Sequence, residues 1–372
     1  MGGNRICSSL KMFDVQGEEA KKECDFFGQL IMTNDIQLQI IQIIKDNLPT
    51  HLSFVEELAD LLDISTDSAY RRMRGETPLT IHEVQILSKE YSISVDSLLS
   101  SNTNIVPFHY QPIDEAKFTF RNYLENVLEL IKMVNQFEDQ KIVYLANDIP
   151  LFHLMHMPEV ASFKLFFWEK TILNYSNLSN EKFELGKPND YINGISRKLR
   201  DLYCAIPSTE IYSSESIDAT LKQIEYYWIS GNFKSESDAV HLCDRLIDLI
   251  EHMRSMAASG YKFKYQRDKE LPSELRNNDF ESNFKVYFNE VVHTDNTVLI
   301  HAGDQYRTYL TNNGINSFFT SSKRFYDDTE RGVKILLQKA TLISGTAEKE
   351  RSRIFNKFVK KVNKLKFRIV DN

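Results

Sequence analysis

Cysteine is scarce: Cys7, Cys24, Cys204 and Cys243 are the only four, they lie far apart, and no two stand in a CxxC pair. That excludes a disulfide framework and the common zinc-site spacings, and it fits a reducing cytoplasm. Glycine and proline are also few, at thirteen and nine, which excludes collagen-like, low-complexity and linker-dominated chains. No run approaches the roughly 18 apolar residues of a membrane-spanning helix, and the amino terminus lacks the basic-then-apolar pattern of a secretory signal. It opens Met1-Gly2, yet Ile6 stands where a myristoylation signal wants Ser or Thr. An excess of positive charge is missing too: the formal net charge is −7, so contact with nucleic acid has to be local. What is present is a globular composition of 372 residues, 42% hydrophobic and 12% aromatic. That is enough for a sizeable core and, at about 150 residues each, two to three domains.

Residues 1–32 have mixed polarity and no sustained period, and they read as a flexible or mis-assigned N-terminal extension with Met32 as the functional start. An ordinary disordered tail is the alternative. A first helix follows, capped by Asn34, with Ile36, Ile40, Ile41, Ile44 and Leu48 on one face. Residues 33–100 read as one helical domain. Residues 101–112, polar with two prolines, read as a linker. Residues 113–372 read as an α+β domain. It should open on an amphipathic helix to Phe137 and a short buried strand at 141–147. Next come an aromatic-rich helix from Leu151 interrupted near Pro158, and helices ending near Ile229 and Ala258, the second with a capping box from Ser235. From 284 the period becomes two, with turns around Asp295-Asn296, Gly303-Asp304 and Asn312-Asn313-Gly314. Helices over about 327–343 and 347–365 close the chain. The fold expected is mainly α, with a small antiparallel sheet in the larger domain.

Residues 53–99 carry the most specific signal. Leu58, Ala59, Leu61 and Leu62 make the apolar face of one helix, with small Ala59 allowing close approach. Asp63 sits at a tight turn, where tolerance of left-handed φ is wanted. Ser65 can cap the next helix, Thr66 to Arg74, which stops at Gly75. Leu79, Ile81, Val84, Leu87 and Tyr91 then recur at helical spacing, and Ile93, Val95 and Leu98 close a small core.

This segment resembles the helix-turn-helix of the phage repressor and Cro family, the XRE family. The matching positions are Leu58, Ala59, Ile64, Ser65, Gly75, Ile81, Val84, Leu87, Ser88, Ile93, Ser94, Val95, Asp96 and Leu98. The resemblance implies a five-helix repressor-like domain and docking of its second motif helix in the major groove of double-stranded DNA. Its contact residues would be Ser65, Thr66, Asp67, Ser68, Arg71, Arg72 and Arg74. Arg71 would be the base reader, with Arg72 and Arg74 as phosphate clamps and Thr66 and Ser68 on bases or phosphates. Two departures concern single positions: Asp63 replaces the turn glycine, and Arg72 falls on the family's apolar position while Met73 takes its usual Glu. The contact register is therefore open by one position. Residues 33–100 also hold five basic and eleven acidic side chains. A blander reading makes the three arginines a solvated face paired with Glu56, Glu57 or Asp60.

Elsewhere the blander readings win. The run from Glu350 to Asn372, with eight basic and two acidic residues, reads as an amphipathic helix packing through Ile354, Phe358 and Val362, not as a DNA contact. His153 and His156 read as core or groove histidines, since a metal site needs further ligands that nothing nearby supplies. Phe152 to Trp168 reads as plain core, with a ligand pocket as the alternative. No phosphate-binding loop, dinucleotide turn, nucleophile elbow or HExxH pair is present, so no catalytic residue, metal or cofactor is expected. The stretches "NDIPLFHLMHMPEVASFKLFFWEKTI", "IPSTEIYSSESIDATLKQIEYYWISGNF" and "LISGTAEKERSRIFNKF" extend a looser resemblance, to uncharacterised helix-turn-helix proteins of Bacteroidota, from about Met32 onward. The expectation is a cytoplasmic, sequence-specific transcriptional regulator and homodimer, with 113–372 sensing a small-molecule or peptide effector or serving oligomerisation. The alternative is a protein-interaction adaptor whose acidic helix-turn-helix no longer binds DNA.

Overall fold

The isoleucines spaced along 36–45 wind into a helix, α1, because Ile40, Ile41 and Ile44 fall on one face and are buried there. The structure, a computed structural model, describes residues 36–45, 53–91, 93–95, 98, 105–110, 118–265, 283–290, 296–312 and 316–371. The readings for 1–32, for the Asn34 cap and Leu48, for 101–104 and 111–112 of the linker, for Asp295 and for the turn at Asn313-Gly314 lie outside them. Contacts divide the chain into two units, Met1–Pro107 and Phe108–Asn372.

In the first unit α1 is followed by α2 (Phe54–Leu62), α3 (Thr66–Met73) and α4 (Ile81–Glu90). Their core contains Ile44, Leu58, Ala69 and Leu87, with no exposed surface on any of the four. The expected five-helix arrangement is corrected here: the described residues form four helices, beyond which only Val95 and Leu98 carry helical geometry.

The second unit is built on a sheet that is neither small nor purely antiparallel. Its eight strands are β1 (His109–Tyr110), β2 (Gln140–Ala146), β3 (Ser208–Tyr212), β4 (Phe284–Phe288), β5 (Thr297–Ala302), β6 (Gln305–Asn312), β7 (Asn316–Thr320) and β8 (Thr341–Leu342). They lie in the order β1-β7-β6-β5-β2-β3-β4-β8. β2 pairs parallel with β3, and β3 with β4, while β5, β6 and β7 form an antiparallel meander against β2. The parallel pairs exist because helices fill the crossovers. α5 (Phe120–Val134) precedes β2. The first crossover then holds α6 (Leu151–Leu154), α7 (Pro158–Phe167), a π-helical turn Trp168–Ile172, and α8 (Asp190–Ala205). The second holds α9 (Asp218–Ile229) and α10 (Glu236–Ser259). α11 (Lys323–Leu337) and α12 (Glu348–Val370) follow the meander. At the β5–β6 turn Gly303 has φ +59°, and a Cβ there would meet the Phe137 ring at 2.6 Å, so the turn admits only glycine.

Strand alternation divides the unit into two cores. Ile142, Ala146, Tyr212, Phe284, Val286, Phe288 and Ile300 face the larger one, under α5–α10 and α12. Val143, Leu145, Ile211 and Leu299 point the other way, against Tyr326, Val333 and Leu336 of α11. The basic closing stretch does form an amphipathic helix. Ile354, Phe358 and Val362 of α12 are buried, while Lys361, Lys366 and Arg368 pair with Asp218, Asp244 and Glu225 of α9 and α10.

Polar groups interrupt the larger core in two places. Glu210, fully buried in the centre of β3, accepts hydrogen bonds from His153 Nε2 at 2.8 and 2.9 Å and from the Tyr203 hydroxyl at 2.5 Å, and one from the Tyr212 hydroxyl. Next to it His252 Nε2 lies 3.1 Å from His156 Nδ1. Lys262 Nζ donates to Ile206 O and Ser208 Oγ over the face of the Tyr203 ring. Burial lowers the Lys262 ammonium to about 7 against the pull of Glu210. Secondly, Lys164, 1% exposed, reaches Asp148 Oδ2 at 2.6 Å and Gln223 Oε1 at 2.7 Å. Both histidines singled out in the sequence are thus core residues with protein partners.

Candidate nucleic-acid interface

A turn this tight between α2 and α3 needs a left-handed residue, and Asp63 supplies it, with φ 52° and ψ 50°. Ser65 then caps α3, its hydroxyl accepting from Ser68 N at 3.2 Å and donating to Ser68 Oγ at 3.0 Å. Ala69 is fully buried and Met73, one turn on, packs against the same core. This sets the register left open by the sequence: Met73 faces inward, and Arg72 lies at the flank. Thr66, Asp67, Tyr70, Arg71 and Arg74 stand on the exposed side, with 67, 70, 71 and 74 at the spacing of one helix face.

The three arginines differ in how free they are. Arg71 meets Asp67 at 3.6 Å, with 59% and 81% of the two side chains exposed. An exposed pair of this kind is worth about 0.2–1 kcal/mol, little enough to be exchanged for a phosphate or a base. Arg74 pairs with Glu76 through two hydrogen bonds, 2.6 and 3.0 Å, and its guanidinium holds the Glu76 carboxyl below the usual carboxylate range. Arg72 is committed to Glu83 of α4, with Nε at 2.9 Å and a second nitrogen at 2.8 Å, and also donates to Ser68 O at 3.3 Å. Burial opposes the charge of Glu83, but hydrogen bonds from Arg72 and Thr80 outweigh it and hold the carboxyl low. The partners are Asp67, Glu83 and Glu76, not the Glu56, Glu57 or Asp60 of the blander reading.

Two further residues hold this surface in place. Thr80 and Glu83 form a capping box at the start of α4. Gln37, buried in α1, donates to Arg72 O at 2.7 Å and Thr77 O at 2.9 Å and accepts from Leu79 N at 2.8 Å, fastening the loop after α3. Gln37→Leu leaves Thr77 O and Leu79 N without a partner, while Arg72 O keeps the Gly75 N–H at 3.0 Å. The expected result is a loss of about 2–3 kcal/mol in the local stability of α3 and α4, read by hydrogen exchange of peptides from residues 66–90 in the full chain. Tyr70, 48% exposed on α3, is a surface residue that sequence reasoning passed over. Its one signal is its place three before Met73 and one before Arg71.

Helix, left-handed turn, capped helix and a polar exposed face define a helix-turn-helix-like unit, joined to a larger unit built on a mixed sheet. Residues 50–119 match the family model of the BetR domain, which is helix-turn-helix-like and points to a DNA-binding regulatory role. No curated protein and no solved structure matches the chain. Among the described residues no helix is long and apolar enough to cross a membrane.

Proposed function

We propose that the protein is a sequence-specific transcriptional regulator of the XRE kind that binds double-stranded DNA as a cytoplasmic homodimer. In this reading α3 enters the major groove and residues 113–372 sense an effector or join the two copies. The observation that carries the reading is the exposed face of α3, where Arg71 and Arg74 project beside Thr66 and Tyr70 from a capped helix, held only by surface ion pairs. Arg71 reads a guanine through two donors, and Arg74 and the hydroxyls of Ser65, Thr66 and Ser68 take up phosphates or base edges. Asp67 shares Arg71 with the DNA, and Arg72 positions α3 by holding Glu83. Two-fold pairing of copies follows from the geometry of reading two half-sites one helical turn apart. No catalytic role is part of this reading.

Selection from random-sequence duplexes with the full chain tests it. The expected product is a two-fold symmetric motif. Arg71→Ala should then weaken binding to that motif by about 1–3 kcal/mol, some five- to 150-fold, in anisotropy titrations at two salt concentrations. Arg72→Met should disturb α3 before it disturbs any DNA contact.

A second reading has its own observation. Each of the three arginines already has a carboxylate partner, and the surrounding unit is acidic. A protein-interaction adaptor fits those facts, and it predicts neither an enriched motif nor salt-dependent duplex affinity.

A further inference from the structure

We infer that the larger unit holds a binding site for a neutral small molecule with an aromatic or alicyclic body and a hydrogen-bond-accepting oxygen, in the cavity between α5, the π-helical turn and the face of β2, β5 and β6. The inference deepens the effector-sensing part of the reading above, and it is tested without DNA, so failure of either leaves the other distinguishable.

The cavity has a volume of about 350 Å³, within the roughly 300–1,000 Å³ of small-molecule sites. Its walls are apolar: Leu130, Phe152, Phe167, Trp168, Val298 and Ile300. Trp168 opens the π-helical turn that continues α7, and such turns recur at functional sites because they re-aim side chains out of the regular helical ladder. Its indole is stacked on Phe120 at 5.6 Å and 15°, so one of its faces is already fixed by packing. Ile172, also lining the cavity and 47% exposed, marks where it reaches the surface.

The polar groups of the lining specify the ligand further. Tyr144 stands on β2 in the interior of the sheet and Tyr123 on α5, and both line the cavity. Among the described residues neither hydroxyl has a hydrogen-bond partner. Tyr309 joins them from β6, its hydroxyl 3.5 Å from Arg307. Burial pushes the Tyr123 hydroxyl up to about 12 and raises those of Tyr144 and Tyr309, so all three are neutral donors. Tyr123 and Tyr144 are half-buried and their hydroxyls face the cavity rather than a sealed core, so an oxygen acceptor on a ligand takes the place of water there.

Charge is excluded by Asp148. Its Oδ2 is taken by Lys164 at 2.6 Å and its Oδ1 by Thr220 at 2.9 Å and Ile149 N at 2.8 Å. With Lys164 on it that carboxylate is neutralised, so an ion of either sign finds no free counter-charge at Asp148 and loses its hydration; the other polar lining residues, such as Asn147, Gln223 and Asn296, are neutral.

The test titrates the full chain with prodan, a neutral naphthalene ketone whose emission shifts to the blue in apolar surroundings. One probe should bind per chain and quench Trp168. Tyr144→Phe should weaken binding about tenfold while leaving the urea midpoint unchanged, because the hydroxyl has no protein partner to lose. Leu130→Trp should fill the cavity and abolish binding; should that variant not fold, Tyr144→Phe alone decides. An anilinonaphthalene sulfonate, matched in ring but anionic, should bind far more weakly. The inference is overturned by no shift in wild-type protein, by binding that both variants leave intact, or by equal affinity for the anionic probe.

Discussion

Glu210→Leu should lower the stability of the larger unit by about 3–5 kcal/mol, the range for removing one partner from a buried charged network. The carboxylate is the sole acceptor shared by His153, Tyr203 and Tyr212. Leucine supplies similar bulk but leaves three buried donors facing carbon, each a desolvation penalty of about 1–3 kcal/mol before relaxation. Glu210→Gln keeps the shape and one carbonyl acceptor, and should lose about half as much. The readout is clean because the only two tryptophans of the chain, Trp168 and Trp228, both lie in this unit. Urea unfolding followed by their fluorescence therefore reports it alone. A Leu variant within 1 kcal/mol of wild type would show that the network contributes specificity and not stability.

Moving from pH 7.5 to 5.5 should destabilise the same unit by about 2.7 kcal/mol. His156 and His252 carry this amount, and Lys262, lowered to about 7 by burial, adds a smaller loss of the same sign. Burial lowers both histidines, His252 to about 3 and His156 well below its ordinary value, and neighbouring positive charge adds to it, from His153, Arg200 and, for His156, Lys262. Neutral in the fold and free to protonate near 6.5 once unfolded, each histidine makes the unfolded chain bind more protons as pH falls. Their contribution is complete above 6.5 and is lost steadily toward 3. Glu210 acts in the same direction lower down. Desolvation works against its charge, but His153 and the two tyrosines outweigh it and hold its carboxyl low, so its share is lost only below about 4.5. His252→Phe with His156→Leu should flatten the slope between 7.5 and 5.5. An unchanged slope would place the proton uptake elsewhere.

The helix-turn-helix was legible because its determinants are local. Leu58, Ala59, Asp63 and Ser65 each act within one or two helical turns, and the structure puts each where its chemistry suggested. What escaped was every contact that depends on distant chain. Nothing near Arg72 announces that Glu83 will claim it, and Gln37 closes its hydrogen bonds 35 to 42 residues away. The sheet failed for the same reason. The strands from Phe284 to Leu310 showed their period, β5 and β6 on either side of the tight turn at Gly303. β3 did not, since Ser208–Tyr212 places the buried Glu210 among apolar neighbours, and β1 and β8 have two residues each. Its parallel pairings with β2 and β4 span helical crossovers that periodicity cannot register. The cavity was visible only as an aromatic-rich stretch that read first as plain core, until Tyr123, Tyr144 and Tyr309 came together from three separate elements.

The topology has a consequence for how the protein is made. Among the described residues α11 is the helix that covers Val143, Leu145, Ile211 and Leu299, and it is encoded after seven of the eight strands. A ribosome therefore releases a nearly complete sheet with one apolar face bare, and the strand β8 that blunts the β4 edge emerges later still. Nascent chains ending before residue 337 should be the aggregation-prone ones, and the ones a holdase chaperone occupies. Biosynthesis, not the finished fold, is where this architecture is most exposed.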